Sequence, residues 1–436
     1  VKPLAIVVSA ALAVFSVLAI ALEPDFRFTA VLNLGFVDVY PFDIVFVAVV
    51  FCLLASGAFH FRHERCAGNR AVIWLIVAYV AYQLLVVLPV AVVVHDLRLI
   101  DVLKLQESRL AILFIPFFYS VALRYWRPAT VIAVFDVAAA TLALWVLIRY
   151  ALDGGQGYWD GDLYRLRAVW GGASLVFAWL LFTSLFYWPL RLWRLPVAAL
   201  ALGALVLANH RSGILALLSA LVVQLLAMRG NLKRLVAVVA VVAVVGVGVY
   251  AASPFVRSSV AYSLRTLVNP SADVNATDRV TRSVLGLQYF SQHPLGDYIW
   301  SQRYYLVSFG ERDFAPHNMV VQLLVTQGVV ATLLFLALIA VSMWISWRNR
   351  AHRLSAVMLS YLVFYVVFCL FNTNIESPEN YAFFAVCIGL ILHDNRRSAE
   401  ELATPTPDDA EAGEPPGATS ASRPSTVASL MNASCR

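Results

Sequence analysis

The chain is 436 residues long, 61% hydrophobic and only 13% charged, with a formal net charge of +6. Soluble domains carry roughly 25% charged residues, so this composition excludes an ordinary soluble protein. Repeated apolar runs of spanning length instead identify an all-α polytopic membrane protein.

In chain order the apolar runs predict spans at Leu4–Leu22, Ile44–Phe59, Ala71–Val94, Leu110–Leu123, Thr130–Ile148, Gly171–Leu190, Leu195–Asn209, Ser212–Met228, Leu235–Ala252, Gly328–Trp347, Ser355–Phe371 and Tyr381–His393. That gives about twelve transmembrane helices. Basic clusters follow every second span: Arg62/Arg65/Arg70, Arg124/Arg127, Arg191/Arg194, Arg229/Lys233/Arg234, Arg348/Arg350/Arg353 and Arg396/Arg397. Cationic loops stay on the cytoplasmic side, which puts both termini in the cytoplasm and accounts for most of the net charge without nucleic acid. The first span also resembles a signal peptide with Ala19-Ile20-Ala21 as a cleavage site, although its apolar run is longer than usual.

The expected organisation is therefore nine spans in residues 1–252, a long periplasmic loop in 253–316, three spans in 317–397 and a cytoplasmic tail in 398–436. The tail's Pro, Ala, Ser, Thr and acidic composition cannot bury a core and predicts disorder. Of the five cysteines, Cys52, Cys369 and Cys387 fall in spans and Cys66 and Cys435 on the cytoplasmic side, so no outer disulfide framework or redox chemistry is implied.

Long connections in helical membrane domains are usually functional. The 253–316 loop carries Arg257, Arg265, Arg279, Arg282, Arg303 and Arg312, slightly more cations than acids, which suits an anionic ligand. Val280 to Phe290 has helical apolar spacing, predicting a short amphipathic helix on the membrane surface that presents its arginines to headgroups or to a lipid-borne phosphate. Tyr298, Trp300, Tyr304, Tyr305, Phe309 and Phe314 are able to stack on sugars, but aromatic rings collect at any membrane interface, and that reading is favoured. Asp160 and Asp162 in "YWDGDL" have Asp-x-Asp spacing for a divalent ion, which a Gly-rich turn explains better. His60, His63 and Cys66 in "HFRHERC" are one ligand short of a zinc site and read as structural.

Two positions resist a bland reading. In "ANHRSGILALL" Arg211 stands in a tight outward-facing turn, where positive charge has no topological purpose; ionisable groups at membrane depth mark functional sites. In "FAPHNMVVQLLVTQG" His317 lies where the long loop re-enters the membrane, with Pro316 pre-setting a helix start and Asn318, Gln322 and Thr326 following as one polar stripe. A helix N-terminus and nearby arginines favour the neutral imidazole, making His317 a candidate base. The alternative is that His317 and Asn318 only cap the helix.

Three segments in order resemble the O-antigen ligase and O-antigen polymerase superfamily: "NHRSGILALLSALVV", "DRVTRSVLGLQYFSQHPLG" and "HNMVVQLLVTQGVVATLLFL". The likeness covers about Asn209 to Leu336. The loop pattern departs in having no Trp within five residues after Arg279 and in placing Asp297 after Gly296. Arg279 takes the loop-arginine position by its spacing to Pro294, with Arg282 one turn away as the alternative. The resemblance implies a fold related to C-type membrane glycosyltransferases in the bacterial inner membrane. It further implies periplasmic transfer of glycan from an undecaprenyl-diphosphate donor, His317 as base and Arg211, Arg279, Arg282 and Arg265 on the diphosphate, supported by Asn318 and Gln322. No cofactor and no metal are expected.

The ligase reading, with lipid A core as acceptor and membrane lipids as surroundings, is preferred because one outer loop dominates. A polymerase using the same donor is the nearest alternative. A protein O-glycosyltransferase lacks a sizeable outer domain here. An anion or glycolipid transporter would be expected to show internal repeats and broken paired helices, and the sequence has no convincing repeat.

Overall fold

A computed structural model describes residues 2–21, 31–33, 38–57, 64, 66–93, 109–153, 156–160, 163–167, 172–189, 191–208, 211–227, 274–296, 318–372 and 378–403, with isolated helical positions between 236 and 261. Apolar sequence in a hydrocarbon medium must satisfy its own backbone hydrogen bonds, and helices are the local solution. The described helices are α1 (Lys2–Ala21), α2 (Pro41–Ala55), α3 (Ala67–Val90), α4 (Ala111–Tyr125), α5 (Pro128–Asp153), α6 (Ala173–Tyr187), α7 (Arg194–Leu207), α8 (Arg211–Ala227), α9 (Val274–Gln292), α10 (Met319–Arg348), α11 (Arg353–Leu370) and α12 (Pro378–Ala403). Two short antiparallel hairpins occupy connections, β1 (Leu32–Asn33) with β2 (Asp38–Val39) and β3 (Gln156–Asp160) with β4 (Leu163–Arg167).

Five helices are long and apolar enough to cross a membrane: α1, α3, α10, α11 and Pro128–Leu152 of α5. Shorter apolar helices, α2, α4, α6, α7 and Ser212–Ala227 of α8, accompany them. Every expected span except the ninth coincides with a described helix. The ninth is described only at isolated helical positions, and most of 253–316 and the tail beyond residue 403 lie outside the described residues.

The core lies where α5, α6, α11 and α12 meet. Phe135 packs edge-on against Phe383 at 5.0 Å and Trp179 against Tyr361 at 5.2 Å, all fully buried. Helix α1 buries one side in the same core, with Ala5, Val8, Leu12 and Ile20 inside.

Two elements position the candidate site. The surface helix expected from Val280–Phe290 is present as α9. The tenth span, expected from Gly328, instead belongs to a longer helix that opens at Met319, after Pro316 rather than at it, and breaks at Gly328, where φ is 76° and ψ 176°. At about 1.5 Å per residue the 30 residues of α10 would reach roughly 45 Å against a hydrocarbon core of about 30 Å. The length between Gly328 and Arg348 suffices for the crossing, and the nine residues before the break form a separate segment of about two and a half turns beyond it.

Candidate functional site

The first segment of α10 carries the polar stripe read from the sequence. Asn318, in extended conformation, is the N-cap, its Oδ1 accepting from Val320 N (2.9 Å) and Val321 N (3.2 Å). Capping thus belongs to Asn318. Gln322 and Thr326 are buried, and the Thr326 hydroxyl donates to the Gln322 carbonyl at 2.8 Å. His317, immediately before this cap, lies outside the described residues, as does Arg265.

A backbone junction fixes the segment. Val329 N donates to Pro294 O at 3.1 Å, inserting the His293-Pro294-Leu295-Gly296 turn into the break of α10. Gly296 and Gly328 both have positive φ, 87° and 76°, and their backbones touch. A Cβ on Gly296 would stand 2.4 Å from Gly328 N, and one on Gly328 would stand 2.1 Å from Leu295 O. Glycine is required on both sides, by conformation and by contact. Just before this junction Tyr289 and Phe290 of α9 pack on Val321 and Val325 of α10, so the two segments run side by side toward the glycines.

The same register carries the arginine end of α9 to the C-terminal end of α11. Arg279 Nη1 donates to Phe371 O at 3.0 Å. The next residue, Asn372, is buried and donates through Nδ2 to Ser212 Oγ at 2.7 Å, on the first turn of α8. Arg211 opens α8 directly beside Ser212, while its side chain lies outside the described set. The helix ends bearing Arg279 and Arg211 therefore meet across Phe371 and Asn372. Arg282 is turned to Asp278, Nε to Oδ2 at 2.7 Å, one turn back on its own helix.

Sequence reading missed Arg109. It is 4% exposed just ahead of α4, and its Nη2 donates to Thr326 O at 3.3 Å. In an unbroken helix that carbonyl would bond the amide four residues on, and the Gly328 break removes that arrangement. Arg109 closes the end of the first α10 segment, while below it Gln327 Oε1 accepts from Tyr79 OH (2.5 Å) and Gln83 Nε2 (3.2 Å), all buried. The available signal was the one that singled out Arg211, an arginine at the outer end of a predicted span.

Other candidates stay apart from this cluster. Asp160 ends β3 with its side chain outside the described set, and Asp162, His60 and His63 are outside it altogether. Cys66 is a buried residue at the start of α3. Among the described residues no three His, Cys, Asp or Glu side chains gather as a metal site.

What the described residues offer chemically is Arg109 with the buried Gln322 and Thr326 on the first segment of α10, and Arg279 of the surface helix α9 at the Phe371 end of α11. The exposed stripe of Val280, Val284 and Leu287 on α9 suits contact with acyl chains. Residues 196–336 match the family model described as O-antigen ligase. No curated protein matches the chain.

Proposed function

We propose, from the match of residues 196–336 to the family model described as O-antigen ligase, that the protein is a bacterial inner-membrane glycosyltransferase moving O-antigen polysaccharide from undecaprenyl diphosphate to a sugar hydroxyl of the lipid A core. In this reading the chain has about twelve spans, both termini in the cytoplasm, a C-type glycosyltransferase-like architecture and its active site toward the periplasm. The observation that carries it is the meeting of the Arg279 end of α9 with the Arg211 end of α8, across Phe371 and Asn372. A lipid diphosphate is doubly anionic and sits at headgroup depth; planar guanidinium forks bind such oxygens bidentately.

The acceptor oxygen attacks the anomeric carbon while the bond from that carbon to the diphosphate oxygen breaks. His317 takes the hydroxyl proton, and the electron pair leaves on the diphosphate, where Arg211 and Arg279 stabilise the growing charge. Arg282 and Arg265 supply further positive charge to the approaching headgroup. Direct displacement inverts the anomeric centre. Asn318 holds the helix start that carries His317, Gln322 supports the stripe behind it, and Arg109 with the Gly296–Gly328 junction holds the segment in place. The scheme uses no metal and no cofactor.

The test is transfer by the purified full chain, given a lipid-diphosphate glycan and two separate acceptors. Product on lipid A core supports the ligase. Product only on a second lipid-linked repeat makes the protein a polymerase, and donor movement without any new glycosidic bond makes it a transporter.

A further inference from the structure

The opposite end of α11 holds a cavity of about 660 Å³ that the transfer reaction does not use. It is framed by the first turns of α5 and α11 and by the last turns of α12, which contribute Arg127, Arg353 and Arg397, together with His352 and His393. By a rise of about 1.5 Å per residue, the 18 residues of α11 separate it from the Arg279 end by roughly 27 Å.

Two helix N-termini open on this cavity, and neither has an acidic residue in its first turn. Each instead has an arginine there, Arg127 ahead of Pro128 and Arg353 opening α11. A positive end of a helix dipole disfavours a cation and favours an anion; Arg353 is held there by the carbonyls of Phe186 and Trp188, which leaves its charge uncompensated.

The acids in the wall are turned to local partners. Asp394 accepts from Ser355 Oγ at 2.5 Å and lies 3.6 Å from His352 Nδ1, and Glu401 pairs with Arg397 at 2.8 Å. Arg127 has no acidic partner among the described residues. His352 and His393 complete the basic lining of the wall.

We propose that this cavity binds a phosphate group, carried by a phospholipid headgroup or by a small soluble phosphate ester. The arginines and the two helix ends supply the charge, and the volume leaves room for the alcohol to which the phosphate is esterified. Basic recesses between membrane helices at headgroup level are where such groups bind.

The experiment measures retention of phosphatidylglycerol and of phosphate-free diacylglycerol by the full chain in detergent, using native mass spectrometry, with glycerol 3-phosphate as competitor. The comparison is between wild type and Arg127→Gln/Arg397→Gln, whose changed side chains hold no backbone carbonyl of the core. Phosphatidylglycerol should be retained over diacylglycerol, and the double variant should bind it roughly tenfold or more weakly. Displacement by glycerol 3-phosphate assigns the site to a soluble ester, and its failure to displace assigns the site to the lipid. Equal retention of the two lipids by wild type, with no binding of glycerol 3-phosphate, overturns the proposal. So does unchanged phosphate binding in the double variant, or in Arg127→Gln alone should the double variant not fold.

Discussion

At its N-terminal end α11 carries Arg353, whose Nε and Nη2 donate to the carbonyls of Phe186 and Trp188, while Ser355 binds Asp394 and Asn349, Asn395 and Asn69 pass hydrogen bonds between helices. At its C-terminal end Phe371 receives Arg279 from a surface helix, and Asn372 reaches across to Ser212. The first end is tied by side chains whose charges, in the topology expected from the sequence, would also orient the bundle. The second is tied by one side-chain-to-backbone and one side-chain-to-side-chain hydrogen bond, and in that topology its arginines have no orienting purpose. An arginine's meaning in such a chain comes from which end of a span holds it. A cation that topology explains is by itself no sign of a ligand, and needs a cavity beside it to become one, whereas several that topology does not explain, gathered at one end, call for an anion.

The most severe way to break this contrast is at the second end. His317→Ala should lower transfer by roughly 100- to 10,000-fold, the range of a positioned base, while insertion and binding of the lipid-diphosphate donor persist. Normal turnover would return His317 to the start of a helix that Asn318 already caps. Next comes Gly328→Ala. Its backbone conformation is nearly closed to other residues, at about 1–3 kcal/mol, and the added Cβ meets Leu295 O at 2.1 Å. Thermal melting should drop, and transfer should fall with it as the α9 turn is expelled from the α10 break. A variant with wild-type melting and transfer would show that the junction does not position the site.

That junction also marks where sequence reading stops. Spans such as α5 and α11 are legible because lipid leaves an apolar run no alternative to helix, and α9 is legible because its apolar positions recur at helical spacing. Arg279 and Arg211 stood out by placement. Their meeting did not, since it passes through Phe371 and Asn372, which lie 92 and 160 residues from Arg279 and Ser212 in the chain. Arg109 and Thr326 are 217 residues apart. The helix start beside Pro316 was legible from the polar stripe of Asn318, Gln322 and Thr326, whereas the break at Gly328 was not, because it depends on contact with Gly296.

The arginines themselves sharpen the comparison at intermediate size. Charge-assisted hydrogen bonds are worth about 1.5–3 kcal/mol each, so Arg279→Ala and Arg211→Ala should each reduce kcat/KM for the donor by roughly 10- to 100-fold, with Lys restoring only part. Arg282→Ala should cost less, because Arg282 is held by Asp278 on its own helix. The reverse order, measured on the same donor, would make Arg282 the loop arginine. Arg109→Gln, which weakens the hold on Thr326 O, should lower kcat by about fivefold with donor KM little changed, corresponding to about 1 kcal/mol. An increase in KM alone would mean that Arg109 meets the donor itself.

The smallest expected effect concerns metal, and it separates two ways of activating a lipid diphosphate. Arginines neutralise a leaving group with charge that no chelator removes. A divalent ion does the same through hard oxygen ligands, for which the segments expected from the sequence to face outward offer Asp38, Asp43, Asp160 and Asp162. Asp43 is engaged at the start of α2, its Oδ2 accepting from Tyr40 N at 2.8 Å. Asp160 closes the β3–β4 hairpin opposite Leu163, the turn its Gly-rich surroundings suggested. None of the four lies within residues 196–336, the segment that carries the family match. Transfer should therefore persist in excess EDTA, and Asp160→Ala/Asp162→Ala should work at near wild-type rate. Activity lost in chelator and restored by Mg²⁺ or Mn²⁺ would shift leaving-group stabilisation from the Arg211 and Arg279 pair to an ion.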